Sequence, residues 1–200
     1  MKNIKRIFLF SACILTVNFL HAQAFDDGKN LIFAGFGFPA PSTIQKDFDQ
    51  YKKFIDYNFK NYGTVVVKYE RGLQKYFGIG LNLEYSAASV SYKYDDVNTL
   101  RYEVKVNTMV AGAFLRLNAH LPIGDNLDIY GGAGLGYLYR VDNYTDTKLS
   151  NSTSLQKSSI FDFDYQLTLG VRYMVKKNFG LFLEGGRATT IAQLGIALGF

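Results

Sequence analysis

From Phe161 to Tyr173 the chain reads FDFDYQLTLGVRY: every odd position is Phe, Tyr, Leu or Val, and every even one is Asp, Gln, Thr, Gly or Arg. A two-residue period held over thirteen positions demands one extended strand with an apolar and a polar face. The period recurs where Leu127, Ile129, Ala133, Leu135, Tyr137 and Tyr139 oppose Asp128, Gly132, Gly134, Gly136 and Arg140, and where Ile79, Leu81, Leu83 and Tyr85 oppose Gly80, Asn82, Glu84 and Ser86. It predicts eight strands: Leu31 to Phe38, Gly63 to Leu73, Phe77 to Tyr94, Tyr102 to Ala119, Leu127 to Val141, Ile160 to Val175, Phe179 to Gly186 and Ile191 to Phe200. The phase slips near Ala87 to Val90 and near Phe114 to Leu115, which bulges or misplaced boundaries would explain.

The connections alternate in length. Pro39 to Tyr62 and Asp142 to Ser159 are long, whereas Gln74 to Tyr76, His120 to Asn126 and Lys176 to Asn178 are short. Long loops at one end and tight turns at the other mark a barrel that crosses a membrane. Alternation alone leaves open a soluble calyx with its apolar face inward. The polar face decides between them, because it is crowded with Gly and small residues around isolated charges rather than with Lys, Glu and Thr. That composition suits the narrow interior of eight strands, where side chains interlock, and turns the apolar rows toward lipid. The expected fold is all-β, an eight-stranded antiparallel up-and-down transmembrane β-barrel.

The first residues, MKNIKRIFLFSACILTVNFLHAQA, combine a basic head, an apolar run from Ile7 to Leu20 and small residues suited to a signal peptidase. This is a secretory signal over residues 1–22, cleaved after Ala22 or Ala24 and delivered through the Sec pathway, ahead of a barrel over 23–200. Without Lys2, Lys5 and Arg6, 19 basic residues face 17 acidic ones. That balance gives no case for nucleic-acid binding. Cys13 is the sole cysteine, so the exported chain is held by packing and its hydrogen-bonded ladder, without disulfides.

At the end of the chain, in IAQLGIALGF, the residues Leu194, Ile196, Leu198 and Phe200 form one apolar row closing on an aromatic residue. With GFGFP (Gly35 to Pro39) and VKYERGL (Val67 to Leu73), the sequence resembles eight-stranded bacterial outer-membrane barrels such as OmpA, OmpX and OmpW. It is more closely similar to the outer membrane protein beta-barrel domain proteins of Bacteroidetes. The resemblance implies residence in a Gram-negative outer membrane and contact with its lipid and lipopolysaccharide. It also implies that Phe200 is the assembly signal read by the barrel-assembly machinery. The chain departs from many such barrels in having no Trp, so Tyr and Phe must anchor the interfaces.

The strand phase directs Lys68, Lys105, Arg116, Arg140 and Arg172 into the lumen with Glu70, Glu84, Asp128, Asp162, Asp164 and Glu184. The up-and-down order places Arg140 and Lys105 beside Asp162 and Asp164, and puts Arg116 and Arg172 on either side of Asp128. His120, the one histidine beyond the signal, falls in a tight turn; with no cysteine or second histidine there, no metal site, catalytic residue or cofactor is expected. The glycine run Gly131 to Gly136 lies inside a strand and opens no helix, which excludes a phosphate loop and suits large neighbours filling the lumen. In the first long loop Phe48, Tyr51, Ile55 and Phe59 recur at near-helical spacing. Phe48, Tyr51, Lys52, Lys53, Phe54 and Tyr57 are therefore the candidate surface-recognition loop, on a short amphipathic helix or a self-packed lid. The expected function is non-catalytic, structural or adhesive, through the extracellular loops. A small-molecule channel is the alternative, ahead of a soluble lipocalin-like binder or an outer-membrane lipid enzyme.

Overall fold

The computed structural model describes residues 24–39, 48–95, 101–149 and 152–200. Residues 1–22 and the cleavage point after Ala22 lie outside them. Eight strands follow one another: β1 (Asn30–Pro39), β2 (Ile55–Gln74), β3 (Phe77–Asp95), β4 (Arg101–Ile123), β5 (Leu127–Leu149), β6 (Ser152–Lys176), β7 (Phe179–Arg187) and β8 (Thr190–Gly199). Each pairs antiparallel with the next, and β1 closes on β8 from Leu31↔Gly199 to Pro39↔Thr190. The closed ring leaves the strands no free edge within its lower half, as lipid requires.

All eight expected strands are present, but β2, β4, β5 and β6 run further than expected. The span from Asp142 to Ser159 is mostly ladder rather than loop, with Asp142 opposite Ser158 and Asp146 opposite Ser154. The short strands β7, β8 and β1 stop at Arg187, Thr190 and Pro39. The rim is thus low on that side and tall across β2 to β6.

No bulge interrupts β3 or β4, which pair without a shift from Phe77↔Ala119 to Asp95↔Arg101. The expected slips are changes of chemistry on an unbroken inner face. Ala88, Val90, Val104, Val106 and Val110 are buried inside the tall end, while Phe114 points inward and Leu115 outward. Phe114 finds room because a Cβ on Gly112 would lie 2.8 Å from its ring. The real irregularity is in β2, between Asn61 and Thr64, where Gly63 adopts φ +80, a conformation open to glycine at little cost.

The outward rows are apolar and exposed, among them Leu115, Leu117, Leu135, Phe163, Leu167 and Leu169. The inward rows carry the polar residues, including Lys68, Glu70, Asn82, Arg116, Asp128 and Arg172, all buried. That is the inverse of a soluble calyx and fits a surround of hydrocarbon. Inside, an apolar layer of Phe25, Leu31, Phe33, Phe182 and Ala197 closes the end with the tight turns. A polar layer fills the middle. The valine cluster under Phe48 closes the tall end.

Candidate functional site

The lumen is organised around carboxylates that each face a cation. Arg172 on β6 stands opposite Asp128 on β5 in the ladder, and its Nη2 donates to Asp128 Oδ2 at 2.6 Å. Further along, Arg116 Nη1 donates to Glu184 Oε1 at 2.8 Å, and Lys68 Nζ reaches the same oxygen at 2.8 Å. Gln193 donates to it as well. Asn118 joins the two centres, receiving from Arg116 at 3.3 Å and donating to Glu70. Arg116 therefore serves Glu184, not Asp128 as its strand position suggested. The inward glycines make the room: a Cβ on Gly132 would strike the Arg116 guanidinium and the Asn118 amide oxygen.

His120 belongs to this network. Because β4 continues to Ile123, the expected turn position is a strand position facing inward, and the imidazole is fully enclosed. Nδ1 lies 2.8 Å from Asp128 Oδ2 and Nε2 lies 2.8 Å from Glu70 Oε1. With a proton on each nitrogen it donates to both. Lys68, Arg116, His120 and Arg172 then face Glu70, Glu84, Asp128 and Glu184, four against four. Glu84 is held by neutral amides, receiving from Asn82 at 2.7 Å and Gln166 at 2.9 Å. A cavity of about 10 Å³, the size of one water, remains between Lys68, Glu70, Arg116, Tyr130 and Glu184.

The chain before β1 turns back into the barrel and adds a group that sequence reasoning missed. Phe25 is wholly buried, stacked on His120, with the Arg172 guanidinium 5.6 Å from its ring centre. Gly28 N–H donates to Gly72 O at 3.1 Å, and Gly72 N–H donates to Lys29 O at 2.8 Å, tying the segment to β2. Burial of Lys29, followed by the nearby Arg172, lowers its ammonium from 10.5 to about 8.

Toward the tall end the expected charges part company. Arg140 turns inward, bonds both oxygens of Asp142 through Nε at 3.1 and 3.0 Å, and sits over the ring of Phe48. Asp164 is half-buried and pairs with Arg187 at 3.2 Å. Asp162 is exposed, because β6 has risen above the low rim of β7 and, among the described residues, no strand pairs with it on that side. Lys105 is exposed on the outward face, contrary to the expected lumen position. The inward row of β4 runs through Val104 and Val106, and reading a slip at Phe114 had inverted it.

From Phe48 on, the described part of the first loop is a lid. It contains a short 3-10 helix, Gln50–Lys53, rather than an amphipathic helix reaching Phe59; Ile55 already begins β2. Phe48 is buried on the valine cluster, and Tyr51, Tyr57 and Phe59 pack around it. Tyr51 and Phe54 both stack on Tyr92, at 4.8 and 4.9 Å between centroids. Of the six candidate residues, Lys52 and Lys53 are the exposed ones, and Lys52 is bound to Asp49 at 2.8 Å. Phe200, the candidate assembly signal, is exposed, and its N–H donates to Asn30 O at 3.0 Å.

A family model described as "Outer membrane protein beta-barrel domain" matches residues 10–194. The sequence has no match among curated proteins. Among solved structures, the fold is similar to Ail, the attachment invasion locus protein of Yersinia pestis, solved with the heparin analogue sucrose octasulfate. That match has 10% identity and a TM-score of 0.46, over 86% of this chain and 95% of Ail. It is also similar to the outer membrane protein OprG of Pseudomonas aeruginosa, at 11% identity and a TM-score of 0.45 over 89% of this chain and 98% of OprG.

Proposed function

The chain belongs to the outer membrane protein beta-barrel domain family, and from that premise we propose that it is a non-catalytic surface-interaction protein. Its tall sheet projects outside the cell and its tight turns face the periplasm. One observation carries this reading. β6 pairs with β7 only from Leu167 to Lys176, so among the described residues no strand covers Ser152 to Gln166 on that side. The guanidinium of Arg187 occupies the foot of this edge, donating to Tyr165 O at 2.9 Å and stacking 3.7 Å over the Tyr165 ring. Above it, a row of backbone donors and acceptors stands ready for an extended segment of another chain.

The filled lumen lends no support to a channel. His120, the histidine a lipid-cleaving site would need, has both ring nitrogens engaged by carboxylates. The test is adhesion of cells displaying the wild-type barrel or the L155P/S159P double variant, at positions whose N–H groups face away from β5, to protein-coated surfaces and to one another. Proline cannot donate to an added strand. The reading requires adhesion by the wild type and its loss in the variant at equal surface level; equal adhesion overturns it.

A further inference from the structure

The open edge of β6 carries a repeat that specifies the chemistry of its guest. In FDFDY, Phe161 to Tyr165, aromatic and carboxylate side chains alternate, so the rings stand on the outward face and Asp162 and Asp164 on the inward one. The lower unit of the repeat is occupied. From β7 the Arg187 guanidinium reaches across the edge: Nη1 donates to Asp164 Oδ1 at 3.2 Å and to Tyr165 O at 2.9 Å, and the group lies 3.7 Å from the centre of the Tyr165 ring. One cationic side chain thereby serves a carboxylate, a strand-edge carbonyl and a ring together.

The upper unit has the same parts without that occupant. Asp162 is exposed, and among the described residues no hydrogen bond or ion pair engages it. Arg140 on β5, which stands opposite Ile160, is held by both oxygens of Asp142. Phe161 and Phe163 are 66% and 63% exposed. Tyr137 holds both rings from the β5 side, stacked on Phe161 at 4.8 Å and edge-on to Phe163 at 5.5 Å. Edge-facing backbone groups recur every second residue, so Phe163 O faces the open side as Tyr165 O does. From Ser158 to Gln166 the charged residues of the inward row are Asp162 and Asp164, and the inner side of this edge is therefore acidic.

We propose that the guest of this edge is a basic extended segment of another protein, one in which arginine and apolar residues alternate. The proposal rests on the strand-edge reading and adds the chemistry of the partner. A strand added above Arg187 sets one face of its side chains against Asp162 and the other against Phe161 and Phe163, because directly opposed residues share a face. A guest guanidinium repeats at Asp162, Phe163 O and the Phe163 ring what Arg187 does one unit below, and its planar fork suits a carboxylate and a carbonyl at once. Apolar guest residues cover the two phenyl rings. A neutral segment gains the ladder alone, and an acidic one sets like charges beside Asp162.

The experiment titrates the full barrel, in phosphatidylcholine nanodiscs, against three capped and fluorescently labelled peptides and reads anisotropy, with empty discs as the blank. The peptides are TRVRVRT, its counterpart with citrulline at each arginine, and TEVEVET. At low ionic strength the arginine peptide is expected to bind at least about fivefold more tightly than the citrulline one, and the acidic peptide more weakly than either. Asp162→Asn, a conservative change at an exposed position, is expected to remove most of that preference. Asp125→Asn, which removes the same charge in the exposed turn between β4 and β5, keeps it. L155P/S159P abolishes binding of every peptide. Equal binding of the arginine and citrulline peptides, or a preference that survives Asp162→Asn or falls equally in Asp125→Asn, overturns the basic guest; if L155P/S159P still abolishes that binding, the strand-edge reading stands. Binding that persists in L155P/S159P, or no binding of any peptide to the wild type, overturns both.

Discussion

The ring of Phe25 lies flat against that of His120, 3.5 Å between centroids and 8° between planes. A residue that precedes the first strand thus completes a network made by β2, β4, β5 and β6. It covers the imidazole and the Arg172 guanidinium at once and seals the polar layer from the end with the tight turns.

Phe25→Ala is expected to lower stability by about 3 to 5 kcal/mol, the usual loss for a buried Phe. The loss combines a vacated volume with water reaching His120 and Arg172. Phe25→Leu, which keeps most of the volume, retains most of the stability. Urea titration of the refolded barrel in detergent, read by gel mobility without boiling, measures both; a wild-type midpoint for Phe25→Ala would show that the segment lies loosely.

Asp128→Ala leaves Arg172 without its shortest contact and is expected to lose about 3 to 5 kcal/mol, as when a buried pair is broken by removing one partner. Adding Arg172→Met restores part of the loss. Adding Arg116→Met does not, because Arg116 pairs with Glu184. Equal rescue by both would mean that the two centres act as one pool of charge.

Period two was legible because it follows from backbone geometry, so strand number, order and the lipid-facing rows could be read directly. What failed was the assumption that inward means polar. Phe114, Val104 and Val106 face inward because the lumen needs filling, and reading them as outward sent Lys105 to the wrong face. His120 was lost differently: the turn is formed by Gly124, at φ +64, and Asp125. Taking Gly124 rather than His120 as its start would have kept the histidine on the strand. Which cation serves which carboxylate depends on side chains reaching across a closed ring, and no linear spacing encodes that.

The depressed Lys29 ammonium carries a pH signature. Its folded value of about 8 lies below the ordinary 10.5, so between those limits the unfolded chain binds a proton that the folded chain lacks. Stability contributed by this group therefore rises with pH across that window. Lys29→Met is expected to be more stable than the wild type at neutral pH, with the gap narrowing toward pH 10.5. Urea midpoints of the two proteins measured across the window check this, and a constant gap contradicts it.

Deleting Phe200 removes a reciprocal backbone pair, Phe200 N–H to Asn30 O at 3.0 Å and Asn30 N–H to Phe200 O at 3.2 Å, together with the exposed ring that ends the apolar row. If the ring is an assembly signal, Phe200→Ala should lower the amount of barrel in the outer membrane even though the backbone pair persists. Phe200→Tyr should restore it. Membrane fractionation with quantitative blotting separates recognition of the ring from the small loss of ladder; equal levels for all three proteins would leave the ring no part in assembly.

The last expectation concerns transport. An open path along the axis would have to pass Phe25 over His120, then Arg116, Lys68 and Gln193 converging on Glu184, then the valine cluster beneath Phe48. Opening it would separate buried ions from their partners, at several kcal/mol for each. The wild-type barrel in planar bilayers is accordingly expected to show no steady ion current. Glu184→Ala leaves two buried cations without their shared carboxylate, so it should destabilise the barrel and admit brief, irregular openings. Phe48→Ala, which unlids only the tall end, should leave the bilayer silent because the polar layer still blocks the path. Steady, uniform channels from the wild type would mean that the side chains seen packed across the lumen move aside together in the membrane.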